Sequence, residues 1–238
     1  MENGLAASTR GDNAEALRLL RPLAEQGNAR AESELGAMFD GGNGVPRDYS
    51  EAVKWYRKSA EQGYFKAEVL LGRMYNEGLG VEKDYAEANR WYRKSAEQGY
   101  ALAQFALGVN VGLGRGGPRD FAEASKWFRL AADRGDSNAQ FALGTLYVLG
   151  NGVPKDPVQA QMWFNLAIAG PADIPASRNA EVVRPSDMST DQRLQLMKVR
   201  DYMASMLTHR QVADADRLTR EWVSKKLKGS CPAGSWCG

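Results

Sequence analysis

Apolar and polar positions along this chain follow a helical period, and the pattern then recurs as a block. In EAVKWYRKSAEQG, which starts at Glu51, residues Ala52, Trp55, Tyr56, Ser59 and Ala60 fall at i, i+3, i+4, i+7 and i+8. That is the apolar face of an amphipathic helix. In the next segment Ala67, Leu71, Met74 and Tyr75 share a face in the same way. Stepping by 36 residues returns the first segment as EALRLLRPLAEQG from Glu15, EANRWYRKSAEQG from Glu87, EASKWFRLAADRG from Glu123 and QAQMWFNLAIAG from Gln159. The second returns from Ala31, Ala67, Ala103 and Ala139, as in AEVLLGRMYNEGLGVEKD. The nonapeptide YRKSAEQGY is spelled identically twice, ending at Tyr64 and Tyr100. Each period therefore predicts helix, Gly-rich loop, helix and Gly turn. One such pair cannot bury its apolar face alone, whereas stacked neighbours can.

The punctuation agrees with this reading. Asp48, Asp84 and Asp120 stand three residues before Glu51, Glu87 and Glu123, the spacing of a capping box with Asp in the usual Ser or Thr position. Asp156 precedes Gln159 in the same register, with Pro157 at the first helical position. Gly27, Gly63, Gly99 and Gly135 are placed to close helices. Gly36, Gly72, Gly108 and Gly144 fall inside helices, where glycine costs about 1 kcal/mol against alanine. A cost repeated at one position predicts close approach of a neighbouring helix, either to its backbone or to a Trp ring. Trp55, Trp91, Trp127 and Trp163 share one repeat position and are predicted core rather than a ligand-stacking ladder.

The motifs LGxMY, GxGVPxDY and EAxxWYRKxAEQG, with their fixed period, resemble the Sel-1-like repeat (SLR) family, a relative of the tetratricopeptide repeat with a longer internal loop. The resemblance covers residues 14–170. It implies an all-α fold, an α/α solenoid of helix-turn-helix repeats that curves into a right-handed superhelix, and it implies a scaffold or adaptor that binds other proteins. Two departures stand out. The first pair has only a short turn at Gly11-Asp12-Asn13, which predicts an N-terminal capping pair over 1–30 ahead of repeats over 31–170. The third repeat has Asn110-Val111-Gly112 where the second has Met74-Tyr75-Asn76, which predicts a shorter or more mobile helix there.

After Gly170 the pattern stops. A linker over 171–189 carries Pro171, Pro175 and Pro185. Ser189 with Gln192, and Thr208 with Gln211, then have capping-box spacing and open two helices within 190–228, expected to cover the last open solenoid face. Residues 229–238 read as a flexible tail. Its Cys231 and Cys237, the chain's two cysteines, either close a short disulfide loop in an oxidising compartment or stand free in that tail.

Composition narrows the chemistry. A net charge of +2 over 238 residues offers no nucleic-acid footprint. No apolar run approaches the ~20 residues of a transmembrane helix. MENGLAASTRGD lacks the basic and apolar regions of a signal peptide. A mature exported chain behind a new Met would look the same, so the chain is periplasmic or secreted if a signal was removed and cytoplasmic otherwise. The clusters GGNG, GLGRGG and GNG lack the G-x-x-x-x-G-K-[ST] string of a phosphate loop. His209, the one histidine, opens a predicted helix and reads as a surface residue. The family that this chain resembles includes members with Cys-rich repeats that have been linked to β-lactam binding. This chain has no repeat cysteines and no S-x-x-K string, so a hydrolase or β-lactam-binding reading is disfavoured. No cofactor or metal is expected, and a monomer is.

One pattern survives as a candidate site. Beside the core face of each repeat's first helix runs a stripe that turns from charged to apolar along the chain. It reads Arg30, Glu34, Ala37, Gly41, then Lys66, Leu70, Arg73, Glu77, then Leu102, Ala106, Val109, Leu113, and finally Asn138, Ala142, Thr145, Leu149. The family resemblance places this helix on the concave side. A groove of this kind would seat a peptide or protein partner, with Glu34 and Arg73 orienting it and Leu102, Val109 and Leu149 supplying affinity. Two other readings stand beside it: the C-terminal segment folds over the apolar half, or the array is a structural spacer. Related proteins carry Asn at the Leu70, Ala106 and Ala142 positions, so an Asn clamp on a peptide backbone is not expected here.

Overall fold

A computed structural model of the chain describes residues 1–169 and 189–229. Among these the regular structure is helical: α1 (Glu2–Thr9), α2 (Asn13–Glu25), α3 (Ala29–Gly41), α4 (Tyr49–Glu61), α5 (Phe65–Glu77), α6 (Tyr85–Glu97), α7 (Ala101–Leu113), α8 (Phe121–Ala132), α9 (Ser137–Leu149), α10 (Pro157–Ala169), α11 (Thr190–Ser205) and α12 (His209–Gly229). The linker prolines, Cys231 and Cys237 lie outside the described residues. The helices gather into two compact units, residues 1–98 with 115–117, and residues 99–114 with 118–238.

Local signals act where they were expected. The Asp48, Asp84, Asp120 and Asp156 carboxylates accept from backbone N–H groups of the next helix at 2.9–3.0 Å. Only half of a capping box forms there. The partner glutamates turn forward instead, Glu51 to Lys54 and Glu87 to Arg90 and Trp91. Full reciprocal boxes form at Ser189–Gln192 and Thr208–Gln211. In every repeat the loop folds back on its first helix: the N–H of Asp48, Asp84, Asp120 and Asp156 donates to Phe39, Tyr75, Val111 and Tyr147 carbonyls at 3.0–3.1 Å.

In the first unit α1 packs on α2, α2 on α3, α3 on α4, α4 on α5 and α5 on α6. The repeated nonapeptide now has a physical account. Tyr56 and Tyr92 are core rings. Ser59 Oγ donates to Ala29 O at 2.5 Å and Ser95 Oγ to Phe65 O at 2.8 Å, tying each second helix to the start of its partner. Lys58 and Lys94 lie over Trp55 and Trp91. Gln62 and Gln98 donate to the buried carboxylates of Glu32 and Glu68 at 2.6 and 2.8 Å. Burial pushes both carboxyls above their usual range, against the pull of Lys58 and Lys94 respectively. The loop glycine Gly80, at φ +68°, lies so close to Tyr49 that an added Cβ would sit 2.3 Å from its carbonyl carbon.

In the second unit α7 packs on α8, α8 on α9 and α9 on α10, and both α11 and α12 pack on α10. The cover is specific as well as apolar. Trp222 meets Trp163 edge to face at 6.0 Å, Asn165 Nδ2 donates to Asp216 at 3.0 Å, and Trp222 Nε1 donates to Asp133 at 3.2 Å. The third-repeat helix α7 is not short: it has 13 residues, as do α5 and α9. Asn110 and Val111 are buried, Gly112 lies against Ala124, and Gly114 ends the helix at φ +69°.

The mid-helix glycines face rings, but not Trp rings. A Cβ on Gly36, Gly72, Gly108 or Gly144 would sit 2.7 Å from Tyr56, Tyr92, Phe128 or Phe164, each one residue past the periodic Trp. At Gly36, Gly72 and Gly144 a backbone carbonyl of the partner helix is also within 3.2–3.3 Å. The periodic Trp is correspondingly uneven. Trp91 and Trp163 are buried, while Trp55 and Trp127 are half-buried.

Candidate protein-binding face

In the first unit the stripe runs over α3 and α5. Glu34, Leu70 and Arg73 are each half-buried there. Leu70 and Ala37 pack against the core that holds Tyr56 and Leu71. Arg73 pairs with Asp40 of α3, and its other terminal nitrogen lies 3.8 Å from Glu77. The Tyr56 hydroxyl donates to the same Asp40 carboxylate at 3.1 Å. Burial, then the Asp40 charge, raises the Tyr56 phenol well above its ordinary value, so it remains a donor. Asp40 is the residue that sequence reasoning missed. It lies 33 positions before Arg73, one turn short of a full period, and a search for opposite charges at that offset would have found it. The charged part of the face is thus a built network rather than a row of independent side chains.

In the second unit the stripe runs over α7 and α9, neither of which carries a charged side chain. Leu102, Ala106, Val109, Ala142 and Thr145 are half-buried. Thr145 donates its hydroxyl hydrogen to Phe141 O at 3.0 Å, which leaves its methyl and an acceptor oxygen but no donor for a ligand. Leu113 and Leu149, at the C-terminal ends of the two helices, are 51% and 60% exposed although α11 and α12 are in place on α10. Phe105 and Phe141, one residue before Ala106 and Ala142, are also half-buried, and their rings lean on Phe128 and Phe164 at 5.8 and 5.2 Å. No helix among the described residues is long and apolar enough to cross a membrane.

A family model described as Sel1 repeat matches residues 1–28, 29–64, 66–100, 101–136 and 137–170. Among solved structures, a Sel1 repeat protein from Oxalobacter formigenes is similar, with 31% identity and a TM-score of 0.67 over 84% of this chain and 83% of that one. A protective antigen present in uropathogenic Escherichia coli strains, displaying an SLR fold, is similar at 33% identity and a TM-score of 0.64. That match covers 90% of this chain but 49% of the other. A search of curated proteins finds no significant match.

Proposed function

Because this chain belongs to the Sel1 repeat family, whose solenoids are typically protein-interaction scaffolds and generally not catalytic, we propose that it is a non-enzymatic adaptor that seats a partner segment on its first-helix stripes. The observation that carries this reading is the pair of uncharged helices α7 and α9, which keep a half-exposed apolar stripe ending in Leu113 and Leu149. Leaving such a stripe in water forgoes burial free energy of about 25 cal/mol per Å². Desolvated apolar contacts usually dominate a protein interface, and charges at its edge set orientation and association rate. In the second unit Leu102, Ala106, Val109, Ala142, Thr145 and Leu149 would supply the apolar contacts; in the first unit Glu34, Leu70 and Arg73 would form a charged face of their own.

The test is a quantitative affinity capture from the source cells with the wild-type chain, Val109→Asp and Leu149→Asp. Leu149 is exposed, so its variant should keep the helical circular dichroism signal. The reading expects one set of proteins that the wild type retains and both variants lose. Identical captures by all three chains would remove the stripe as a binding face. A lowered melting temperature for Val109→Asp with unchanged capture would make it an intramolecular seat.

A further inference from the structure

We infer, on the reading just given, that the loop-side end of the second unit's stripe selects an acidic, apolar peptide segment. Its apolar side chains would lie on Leu113 and Leu149, and its carboxylates would meet Arg119 and Lys155. A cation precedes the capping aspartate in each loop: Arg47, Lys83, Arg119 and Lys155 occupy one repeat position and are all exposed. The fold sets each beside the last turn of the preceding helix. A Cβ on Gly114, next to Leu113, would lie 3.3 Å from the Arg119 Cβ, and one on Gly150, next to Leu149, 3.3 Å from the Lys155 Cβ. Both glycines need positive φ, at +69° and +74°, so this approach is fixed by the backbone.

The second unit differs from the first in what surrounds these cations. In the first, the helix-end positions are Gly41 and Glu77, and Arg47 donates to the Gly41 carbonyl at 3.3 Å. In the second they are leucines, which offer no acceptor side chain. Arg119 lies over the Phe121 ring at 5.7 Å, and Lys155 has Pro157 where the other loops have a ring. The adjacent Asp120 and Asp156 are turned to the helix N-termini they cap. Each of the two exposed leucines therefore stands at a helix end beside a cation that has no carboxylate partner among the described residues. A segment alternating leucine-like and acidic residues complements both features, and a basic one would be repelled.

The test selects random dodecapeptides displayed on phage against the full chain, then against Arg119→Glu/Lys155→Glu and Leu113→Asp/Leu149→Asp. Circular dichroism checks that all three chains are folded. The inference expects wild-type binders rich in Leu, Ile, Phe and Met with net negative charge. It expects the charge-reversed chain to lose about tenfold in affinity for the best of them by fluorescence anisotropy, and to select net basic peptides afresh. Apolar binders without charge preference, or an acidic preference that survives the reversal, would overturn the inference and leave the adaptor reading standing. No enrichment at all, or enrichment untouched by the leucine double variant, would sink both.

Discussion

Replacing Gly72 by alanine pits two magnitudes of opposite sign against each other. By helix propensity alone the change in the middle of α5 stabilises by about 1 kcal/mol. By packing it does the reverse. The new methyl would lie 2.7 Å from both Cδ1 and Cε1 of Tyr92 and 3.2 Å from the Ala88 carbonyl oxygen. Ordinary carbon contacts begin near ~3.5 Å, so ring and helix must separate by several tenths of an ångström. Tyr92 is 5% exposed and cannot swing away without opening a void. Overpacking of this kind costs about 1–3 kcal/mol. At the middle of that range the clash wins, with a net loss of about 1 kcal/mol. For a urea slope of ~2–3 kcal/mol per molar, the unfolding midpoint should fall by about 0.3–0.5 M. Helical circular dichroism followed through a urea titration reads this directly. Gly117→Ala is the control: nothing lies within 4 Å of its added Cβ, and the variant should be neutral or slightly stabilised. A raised midpoint for Gly72→Ala would show that propensity outweighs the contact and that ring packing is not why glycine stands there.

Trp91→Ala should cost about 3–5 kcal/mol in a denaturation experiment, and Trp127→Ala about half that, because the second ring is only half-buried. Equal losses would mean that repeat position rather than burial sets the cost. Glu68→Gln should stabilise the fold at neutral pH and flatten its pH dependence. A carboxyl whose folded pKa is raised binds its proton more tightly when folded, so its contribution favours the folded state at low pH. That contribution is lost as pH rises from the ordinary carboxylate range through the raised value. Urea midpoints on either side of that window test it, and a Gln variant weaker than wild type at neutral pH would contradict it. The sequence already places Gln104 and Gln140 at this repeat position.

What could be read without coordinates was local or periodic. The aspartate caps involve groups two or three residues apart, and the glycine turns need only their own φ, so each left its mark in a short string. The same 36-residue step placed the stripe residues on α3, α5, α7 and α9. The Arg73–Glu77 approach follows from i,i+4 spacing within α5, but the pairing of Arg73 with Asp40 depends on how α3 and α5 lie side by side. The periodic step could not say that Leu113 and Leu149 stay exposed, since a leucine at a helix end is buried or bare according to what packs beyond it.

The sequence by itself determined the repeat, its helices and their ends, because helix periodicity, capping and left-handed glycines are encoded within a few residues. The tertiary structure decided which of two adjacent aromatics packs against the mid-helix glycine. Residues i and i+1 are about 100° apart on a helix, and an apolar face can be that wide, so both Trp91 and Tyr92 satisfy the pattern. Only the approach of α5, with Gly72 opening room, places the Tyr92 ring against the neighbouring backbone. It decided likewise that α7 keeps its full length, since Asn110 and Val111 are buried, Gly112 lies against Ala124 and the left-handed Gly114 ends the helix where its siblings end. Both outcomes depend on distances between helices, which no spacing along one chain specifies.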